Sequence, residues 1–281
     1  MISGSLLIDK EIGLTSRQEV NNVSHSLGEK KAGHIGTLDP FADGLLIVLL
    51  GKSTKISPFL EGMDKTYMAT LKLGEKTDSG DLTGNVVEQS EVPALNKELI
   101  EQVFSSFIGK QKQIPPMYSA IKIEGKELYK YAREGKEIER KSRQIEIYEL
   151  KLLSYKDKEI VFLAKVSKGT YIRTLGEDIA QKLGTVGHLT KLTRLAIGPY
   201  SIENAKKSKD VTVDDLISIE KMLEFMPSIE LDDELAKKAT NGMHFRLNTD
   251  KDLVLLKYKG VAIAIYQKEP SGVFSCVRGL M

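Results

Sequence analysis

The chain of 281 residues has no tryptophan, a single cysteine and no long apolar run. With Cys276 alone, an intramolecular disulfide and a cysteine-based metal cluster within one chain are excluded. The longest purely aliphatic run, Leu45–Leu50, is far shorter than the ~20 apolar residues of a membrane helix and predicts a strand buried on both faces. The N-terminus lacks the basic and apolar segments of a signal peptide. We therefore expect a cytoplasmic protein without membrane contact.

An excess of charge of one sign is also missing, because 41 Lys and Arg stand against 39 Asp and Glu. A net charge of +2 neither supports nor excludes a nucleic-acid partner, since clustering on one face decides that interaction. The four histidines are scattered, and no His-Glu-x-x-His or Cys-x-x-Cys spacing occurs, so we expect no metal site. The richest basic stretch, residues 122–143, has eight basic and five acidic residues and is either an RNA-binding segment or a solvated helix face.

Hydrophobic periodicity predicts an α+β fold with a mixed, mainly antiparallel central sheet flanked by helices. Ser16 and Glu19 are expected to form the capping box of the first helix. Past Pro227 the pattern changes to short strands and turns, which predicts two domains, residues 1–227 and a small β-rich unit over 228–281. Strands are expected at 4–9, 45–50, 65–73, within 114–123, at 144–154, 159–167, 188–200, 253–256 and 261–266, and helices at 15–27, 96–107, 126–133, 172–183 and 214–225.

Two nucleotide-binding or RNA-binding motifs are only partly present. Gly51-Lys52-Ser53 would require a glycine at position 46 to make a phosphate-binding P-loop, and Leu46 stands there instead. The spacing of Gly33 and Gly36 matches the Gly-x-x-Gly loop of KH domains, but two glycines three residues apart are common in loops. A nucleotide hydrolase is therefore disfavoured, and an RNA-binding module without chemistry stays open as an alternative.

A glycine-punctuated loop, residues 33–44, holds Asp39 directly before a buried strand. An Asp before a proline is most often a turn residue, whereas a nucleophilic carboxylate needs a fixed backbone and a cation that keeps it ionised. Arg173, at a strand-to-helix junction after Lys168-Gly-Thr-Tyr-Ile, is a candidate for that cation. Taken locally, the pattern favours a surface arginine on a helix capped by Thr170.

Six segments stand in one order along the chain: Leu7-Ile-Asp-Lys10-x-x-Gly13-Leu-Thr-Ser16, Gly33-His-Ile-Gly-Thr-Leu-Asp39-Pro-Phe-Ala-Asp-Gly44, Asp64-Lys-Thr-Tyr67, Gln113-Ile-Pro-Pro-Met-Tyr118-Ser-Ala, Lys168-Gly-Thr-Tyr171-Ile-Arg173 and Leu189-Thr-Lys-Leu192-Thr-Arg194. With these segments in this order, the chain resembles the TruB family, the bacterial tRNA pseudouridine-55 synthases, over roughly residues 4–225. Ile35, Thr37 and Asp43 depart from the family's commonest residues without removing a group that its chemistry needs.

The resemblance implies the pseudouridine synthase fold, a PUA-like RNA-binding domain over 228–281, and isomerisation of uridine 55 in the T loop of tRNA without metal or cofactor. It implies that Asp39 is the nucleophile and that Arg173 and Tyr67 are catalytic partners. The expected partner is the tRNA T-arm, bound by a monomer, with the target uridine flipped out of the stack. The substrate-binding residues that it implies are His34, Tyr171, Leu192 and Lys10.

Overall fold

A computed structural model describes residues 2–281. Within these residues there are seven α-helices: α1 Ser16–Leu27, α2 Ser57–Glu61, α3 Lys97–Ser105, α4 Leu128–Arg133, α5 Ile172–Lys182, α6 Ile219–Met222 and α7 Asp233–Thr240. Short 3₁₀ helices lie at Gly51–Ile56, Ile202–Asn204 and Val213–Asp215. The strands are β1 Gly4–Lys10, β2 Ala32–Ile35, β3 Asp43–Leu50, β4 Lys65–Leu73, β5 Glu75–Thr77, β6 Val86–Gln89, β7 Gly109–Gln113, β8 Lys122–Ile123, β9 Lys126–Glu127, β10 Arg143–Lys156, β11 Glu159–Val166, β12 Gly187–Ile197, β13 Tyr200–Ser201, β14 Ser228–Glu230, β15 Leu253–Tyr258, β16 Val261–Lys268 and β17 Phe274–Gly279.

A nine-stranded sheet forms the centre of the molecule, in the order β1-β3-β12-β4-β11-β10-β7, with β2 added on β3 and β13 on β12. Every neighbouring pair is antiparallel except β12 and β3, which run parallel over only two residue pairs. That short contact joins Thr193 to Asp43 and Arg194 to Gly44, at the point where the loop before β3 ends. The predicted mixed, mainly antiparallel sheet is confirmed.

Helices α3 and α5 cover one face of this sheet. Phe104 of α3 packs edge-on against Phe162 of β11, with ring centroids 5.9 Å apart. Leu175 and Ile179 of α5 belong to the same buried cluster as Leu71 of β4. This burial fixes the start of α5 against the sheet, and none of the helices in residues 2–281 is both long and apolar enough to cross a bilayer.

The start of α1 differs from the prediction in its capping residues. Thr15 is the N-cap and forms the capping box with Gln18, one residue before the predicted pair. Ser16 and Glu19 are instead buried and bind other segments: the Glu19 carboxylate accepts from the backbone N–H of Glu11 at 3.0 Å. The predicted box is wrong because these two side chains are used for tertiary contacts.

The predicted helix over 214–225 is also wrong, since only α6 is helical there, after a 3₁₀ turn. Ile217 exchanges two backbone hydrogen bonds of 2.8 Å with Ser5 of β1. Its amide and carbonyl are therefore unavailable to a helix, and the segment crosses β1 in an extended conformation.

Only Lys122 and Ile123 form a strand in the segment 114–123. Pro115 and Pro116 have no N–H to donate to a ladder, and the carbonyl of Tyr118 is bound by a side chain rather than by a strand. The segment crosses the mouth of the cleft described below as irregular chain.

The C-terminal residues form a separate sheet in the order β14-β15-β16-β17, with α7 on it. One side packs into its own cluster, which includes Tyr266 and Phe274. Leu255 and Ile265 point into a second cluster that they share with Ile47 of β3. This second sheet is therefore joined to the first part of the chain through a common core.

Candidate active site

The loop between β2 and β3 carries Asp39 and is bounded by two glycines with positive φ. Gly36 has φ +63° and Gly44 has φ +100°. A Cβ at Gly44 would lie 2.4 Å from the carbonyl oxygen of Arg194, so this position excludes every side chain. The glycines thus let the loop leave β2 and enter β3 in close contact with β12.

Backbone contacts hold the centre of this loop. The buried Ser16 hydroxyl accepts from the N–H of Leu38 at 2.8 Å and lies 3.1 Å from the carbonyl oxygen of the same residue. The N–H of Gly13 donates to the carbonyl of Pro40 at 2.7 Å. Asp39 lies between these two anchors, so its backbone is fixed from both sides.

Arg194 fastens the two ends of the loop to β12. Its guanidinium donates from Nη2 to the carbonyl of Gly36 at 2.9 Å and from Nε to that of Leu45 at 2.7 Å. The side chain is 1% exposed, and no carboxylate of residues 2–281 pairs with it within 4.0 Å. The sequence pattern did not mark Arg194 as a site residue, although it lies in the last segment of the resemblance.

Arg173, in the first turn of α5, contacts the side chain of Asp39. Its Nε lies 2.9 Å from Oδ2 and its Nη2 lies 3.2 Å from Oδ1 of Asp39. The same guanidinium donates to the carbonyls of Ser79 at 2.8 Å and Tyr118 at 2.7 Å. The predicted meeting of residues 39 and 173, which are 134 positions apart, is confirmed.

The predicted Thr170 cap is wrong, because Tyr171 is the N-cap residue and the Thr170 hydroxyl donates to the carbonyl of Ser167. α5 therefore starts without a side-chain cap. Its first turn is instead held through Arg173, whose five donors reach three separate segments.

A second carboxylate, Asp81, lies 3.5 Å from Nη1 of Arg173 and is only 4% exposed. Its Oδ1 accepts from the hydroxyl of Ser79 at 2.9 Å and from the hydroxyl and N–H of Thr83 at 2.6 and 2.9 Å. Sequence reasoning missed Asp81, because it stands in a turn with Asp78 and nothing local distinguishes the two acids.

The electrostatics of Asp39 are set by opposing influences. Burial raises the pKa of its carboxyl, the positive charge of Arg173 opposes that rise, and the negative charge of Asp81 adds to it. The side chain nevertheless keeps 34% of its surface exposed, toward the cleft. Asp39 is thus a poorly hydrated carboxylate that stays accessible to a bound molecule and is paired with one guanidinium.

Two cavities meet at this ion pair. One of about 740 Å³ is lined by the start of α1, the 78–85 turn and the α4 residues Tyr129 and Arg133. The other, of about 580 Å³, lies toward β4 and β12. Residues shared by both linings are His34, Thr37, Leu38, Asp39, Ser119, Ala120 and Arg173.

The second cavity has the apolar and aromatic walls that the resemblance implies. Tyr67 and Leu192 are buried residues on β4 and β12, and Tyr171 precedes α5. Gln113 fixes Tyr171 by accepting a hydrogen bond from its backbone N–H at 2.8 Å and donating one to its carbonyl at 3.1 Å. Burial raises the pKa of the Tyr171 hydroxyl.

His34 lies at the rim of both cavities. Burial and the charge of Arg194 lower the pKa of its ring, which favours the neutral form.

Lys10 lies behind the Asp39 loop and outside the lining of both cavities. It is 0% exposed, and its Nζ donates to the carbonyls of Ala42 at 2.6 Å and Glu11 at 2.9 Å. Burial lowers its pKa to about 8, against the raising effect of the Glu19 charge. The structure therefore gives Lys10 a contact with the loop rather than with the space where a substrate would bind.

No group of three or more potential metal-binding side chains occurs within residues 2–281. The cleft instead combines one accessible carboxylate, its guanidinium partner and aromatic walls. Such a set can hold a flat ring and direct a carboxylate at it.

Comparison with known proteins places these residues in a family. Residues 24–172 match the model of the TruB family pseudouridylate synthase N-terminal domain. The chain belongs to the TruB family. A Geobacillus thermodenitrificans protein named tRNA pseudouridine synthase B is 40% identical over 290 aligned residues, with 96% of each chain covered.

Two further relatives carry that same name. The Hydrogenovibrio crunogenus protein is 54% identical over 70% of this chain, and the chain spans only 65% of that protein's length. The Bordetella avium protein is 48% identical over 73% of this chain and 84% of its own. Among solved structures, a chain from the crystal structure of a Cbf5-Nop10-Gar1 complex superposes with a TM-score of 0.72 at 25% identity, covering 94% of this chain and 78% of the other.

Proposed function

We propose that this TruB-family protein is a tRNA pseudouridine synthase that isomerises uridine 55 in the T loop, with Asp39 as nucleophile and without metal or cofactor. The observation that carries the proposal is the ion pair of Asp39 with Arg173 at the junction of two cavities. Relatives named tRNA pseudouridine synthase B, one of them matched over almost its whole length, support the same substrate class.

The reaction is an isomerisation in which no atom is gained or lost. The bond between N1 of uracil and C1′ of the ribose breaks, the base turns, and a bond from C5 to C1′ replaces it. The proton that leaves C5 is balanced by the proton that N1 gains. In this proposal Arg173 keeps Asp39 ionised and oriented for nucleophilic catalysis, and Tyr67, which lines the same cavity as Asp39, exchanges the proton at the base carbon.

The second cavity is the proposed uracil pocket. Tyr67 and Leu192, on the neighbouring strands β4 and β12, supply one apolar wall for a planar base, and Tyr171 closes one end. The uridine enters only after flipping out of the RNA stack, at a cost of a few kcal/mol. His34, neutral and at the rim, is placed to occupy the space that the base vacates.

The substrate surface extends beyond the pocket. The T-arm would lie across the first cavity, where Tyr129 and Arg133 of α4 face the 78–85 turn. Arg133 and Lys130 lie within 5.5 and 5.9 Å of the Tyr129 ring centroid, which makes this helix a basic and aromatic surface suited to RNA. We further propose that residues 228–281 are a PUA-like RNA-binding domain and that the enzyme acts as a monomer in the cytoplasm.

The decisive experiment compares the wild-type protein with Asp39→Asn on unmodified tRNA under single-turnover conditions, with pseudouridine mapped along the RNA. We expect product at position 55 with the wild type, a loss on the order of 10⁴-fold or more with the variant, and unchanged RNA affinity. Product at a position outside the T loop would refute the substrate assignment. Activity that survives the substitution would refute the nucleophile, and RNA binding without any product would leave an RNA-binding module.

A further inference from the structure

Four basic side chains lie together at the junction between the first part of the chain and the C-terminal sheet. Lys31, Lys52, Lys55 and Arg278 form this group, which we call the seam patch. We infer that the seam patch binds phosphates of the tRNA at a distance from the flipped uridine. The inference rests on the proposed function, because it assigns the same substrate a contact outside the catalytic cleft.

Backbone geometry brings the patch together from three segments. The N–H of Gly51 donates to the carbonyl of Lys31 at 2.8 Å, which joins the start of β2 to the 3₁₀ helix that carries the other two lysines. Lys55 donates from Nζ to the main-chain oxygen of Met281 at 2.6 Å. Arg278 lies on β17, three residues before Met281. The patch therefore spans the seam between the two sheets.

The patch has no acidic side chain beside it. Within residues 2–281, no Asp or Glu carboxylate lies within 4.0 Å of the charged nitrogens of its members, and Lys55 alone has an oxygen partner, the main-chain oxygen of Met281. Glu29 lies two residues before Lys31, but its carboxylate accepts from the backbone N–H of Lys31 at 3.0 Å and from that of Ile2 at 3.1 Å. Like charges held side by side repel one another, so this arrangement costs stability unless an anion binds.

Electrostatics agree with that geometry. The pKa of Lys55 is lowered, first by partial burial and then by the positive charges of Lys31, Lys52 and Arg278. Lys31, Lys52 and Arg278 are themselves exposed to solvent. Three exposed cations around a half-buried fourth are a suitable surface for the charged backbone of a nucleic acid.

The path from the patch to the cleft runs along one strand. β2 begins directly after Lys31 and ends at Ile35, one residue before the loop that carries Asp39. At ~3.3 Å per residue, this strand separates Lys31 from the start of the loop by roughly 13 Å. A duplex carries about one charge per 1.7 Å of axis, so an RNA seated on Asp39 offers phosphates at this separation.

The test removes three charges and leaves Lys55, whose bond to Met281 supports the fold. We compare Lys31→Gln/Lys52→Gln/Arg278→Gln with a control of equal charge change, Lys97→Gln/Lys156→Gln/Lys158→Gln, on α3 and the β10–β11 turn. Affinity for full-length unmodified tRNA is measured against salt concentration, together with kcat and KM. Relative to the wild type, we expect the slope of log K against log salt concentration to be smaller in magnitude by about 2–3 for the seam variant. Its KM should be about tenfold higher, and its kcat should stay within about twofold of the wild-type value.

The control variant should keep the wild-type slope and KM. Equal slopes for the seam and control variants would overturn the inference, as would a fall in kcat at unchanged KM. If the triple variant does not fold, Lys52→Gln alone should reduce the slope by about 0.9, and an unchanged slope again overturns the inference. A wild type that binds tRNA but forms no pseudouridine refutes the proposed function and leaves this binding test valid.

Discussion

Asp39 and Asp81 contact a single guanidinium, that of Arg173, from very different surroundings. The Asp39 side chain is 34% exposed, whereas that of Asp81 is 5% exposed and bonded to the 79–83 turn. The buried Asp81 therefore anchors the Arg173 guanidinium on one side, while its other side pairs with Asp39 at the cleft. This division lets Asp81 hold the guanidinium and leaves Asp39 accessible from the cleft.

Asp81→Asn should reduce kcat by about 10- to 100-fold, because Arg173 loses part of its anchoring. It should also move the acid limb of the pH–rate profile to lower pH: the charge of Asp81 raises the pKa of Asp39, and removing it lets Asp39 stay ionised in more acid solution. Profiles of kcat for the variant and for Asp157→Asn, an exposed site on the β10–β11 turn, test this. An acid limb that moves to higher pH would contradict it.

Asp39→Asn should melt at a higher temperature than the wild type at pH 8. Because the folded-state pKa of Asp39 is raised, the folded protein takes up this proton more readily than the unfolded chain, and stability is lost as pH rises from the unfolded to the folded pKa. The neutral amide avoids that loss. Thermal melts from pH 4 to pH 8 should show the gap closing toward acid pH, and a variant less stable than the wild type at pH 8 would be inconsistent with this sign.

Arg194→Lys should lower kcat more than it raises KM. An ammonium group lacks the planar fork that reaches both Gly36 and Leu45, so one end of the loop that carries Asp39 loses its contact while the positive charge remains. We expect a loss of about 1–3 kcal/mol in the free energy of unfolding and a kcat reduced at least tenfold. Steady-state kinetics with chemical denaturation measure both, and a variant with wild-type kcat would show that the loop does not depend on this residue.

Gly44→Ala should destabilise the protein by at least about 2 kcal/mol, because the new Cβ would meet the backbone of Arg194 at 2.4 Å. Gly260→Ala is a matched control: its φ of +77° is also left-handed, but no atom lies within 4 Å of the added Cβ. The control should cost only the ~1–2 kcal/mol of backbone strain. Equal losses for the two variants would show that the close approach of β3 and β12 is unimportant.

Most of the sheet could be predicted from hydrophobic alternation, whereas the failures occurred where tertiary contacts override local pattern. The segment around Ile217 has helical periodicity but bonds to Ser5 of β1, and Ser16 leaves its capping role to hold Leu38. The meeting of Asp39 with Arg173 came from the family resemblance, since no local rule pairs residues so far apart. Asp81 and Arg194 were not predicted as site residues for the same reason, because their contacts depend on partners that other segments supply.

The core shared by Ile47, Leu255 and Ile265 has a consequence for dissecting the molecule. A chain cut after residue 227 would leave one face of β3, the strand that follows the loop carrying Asp39, uncovered toward water. Truncation would therefore weaken the support beneath Asp39 as well as delete a candidate RNA-binding unit. Loss of activity in such a fragment could therefore result from a destabilised catalytic part. The roles of residues 1–227 and 228–281 are better tested by surface substitutions in the intact chain.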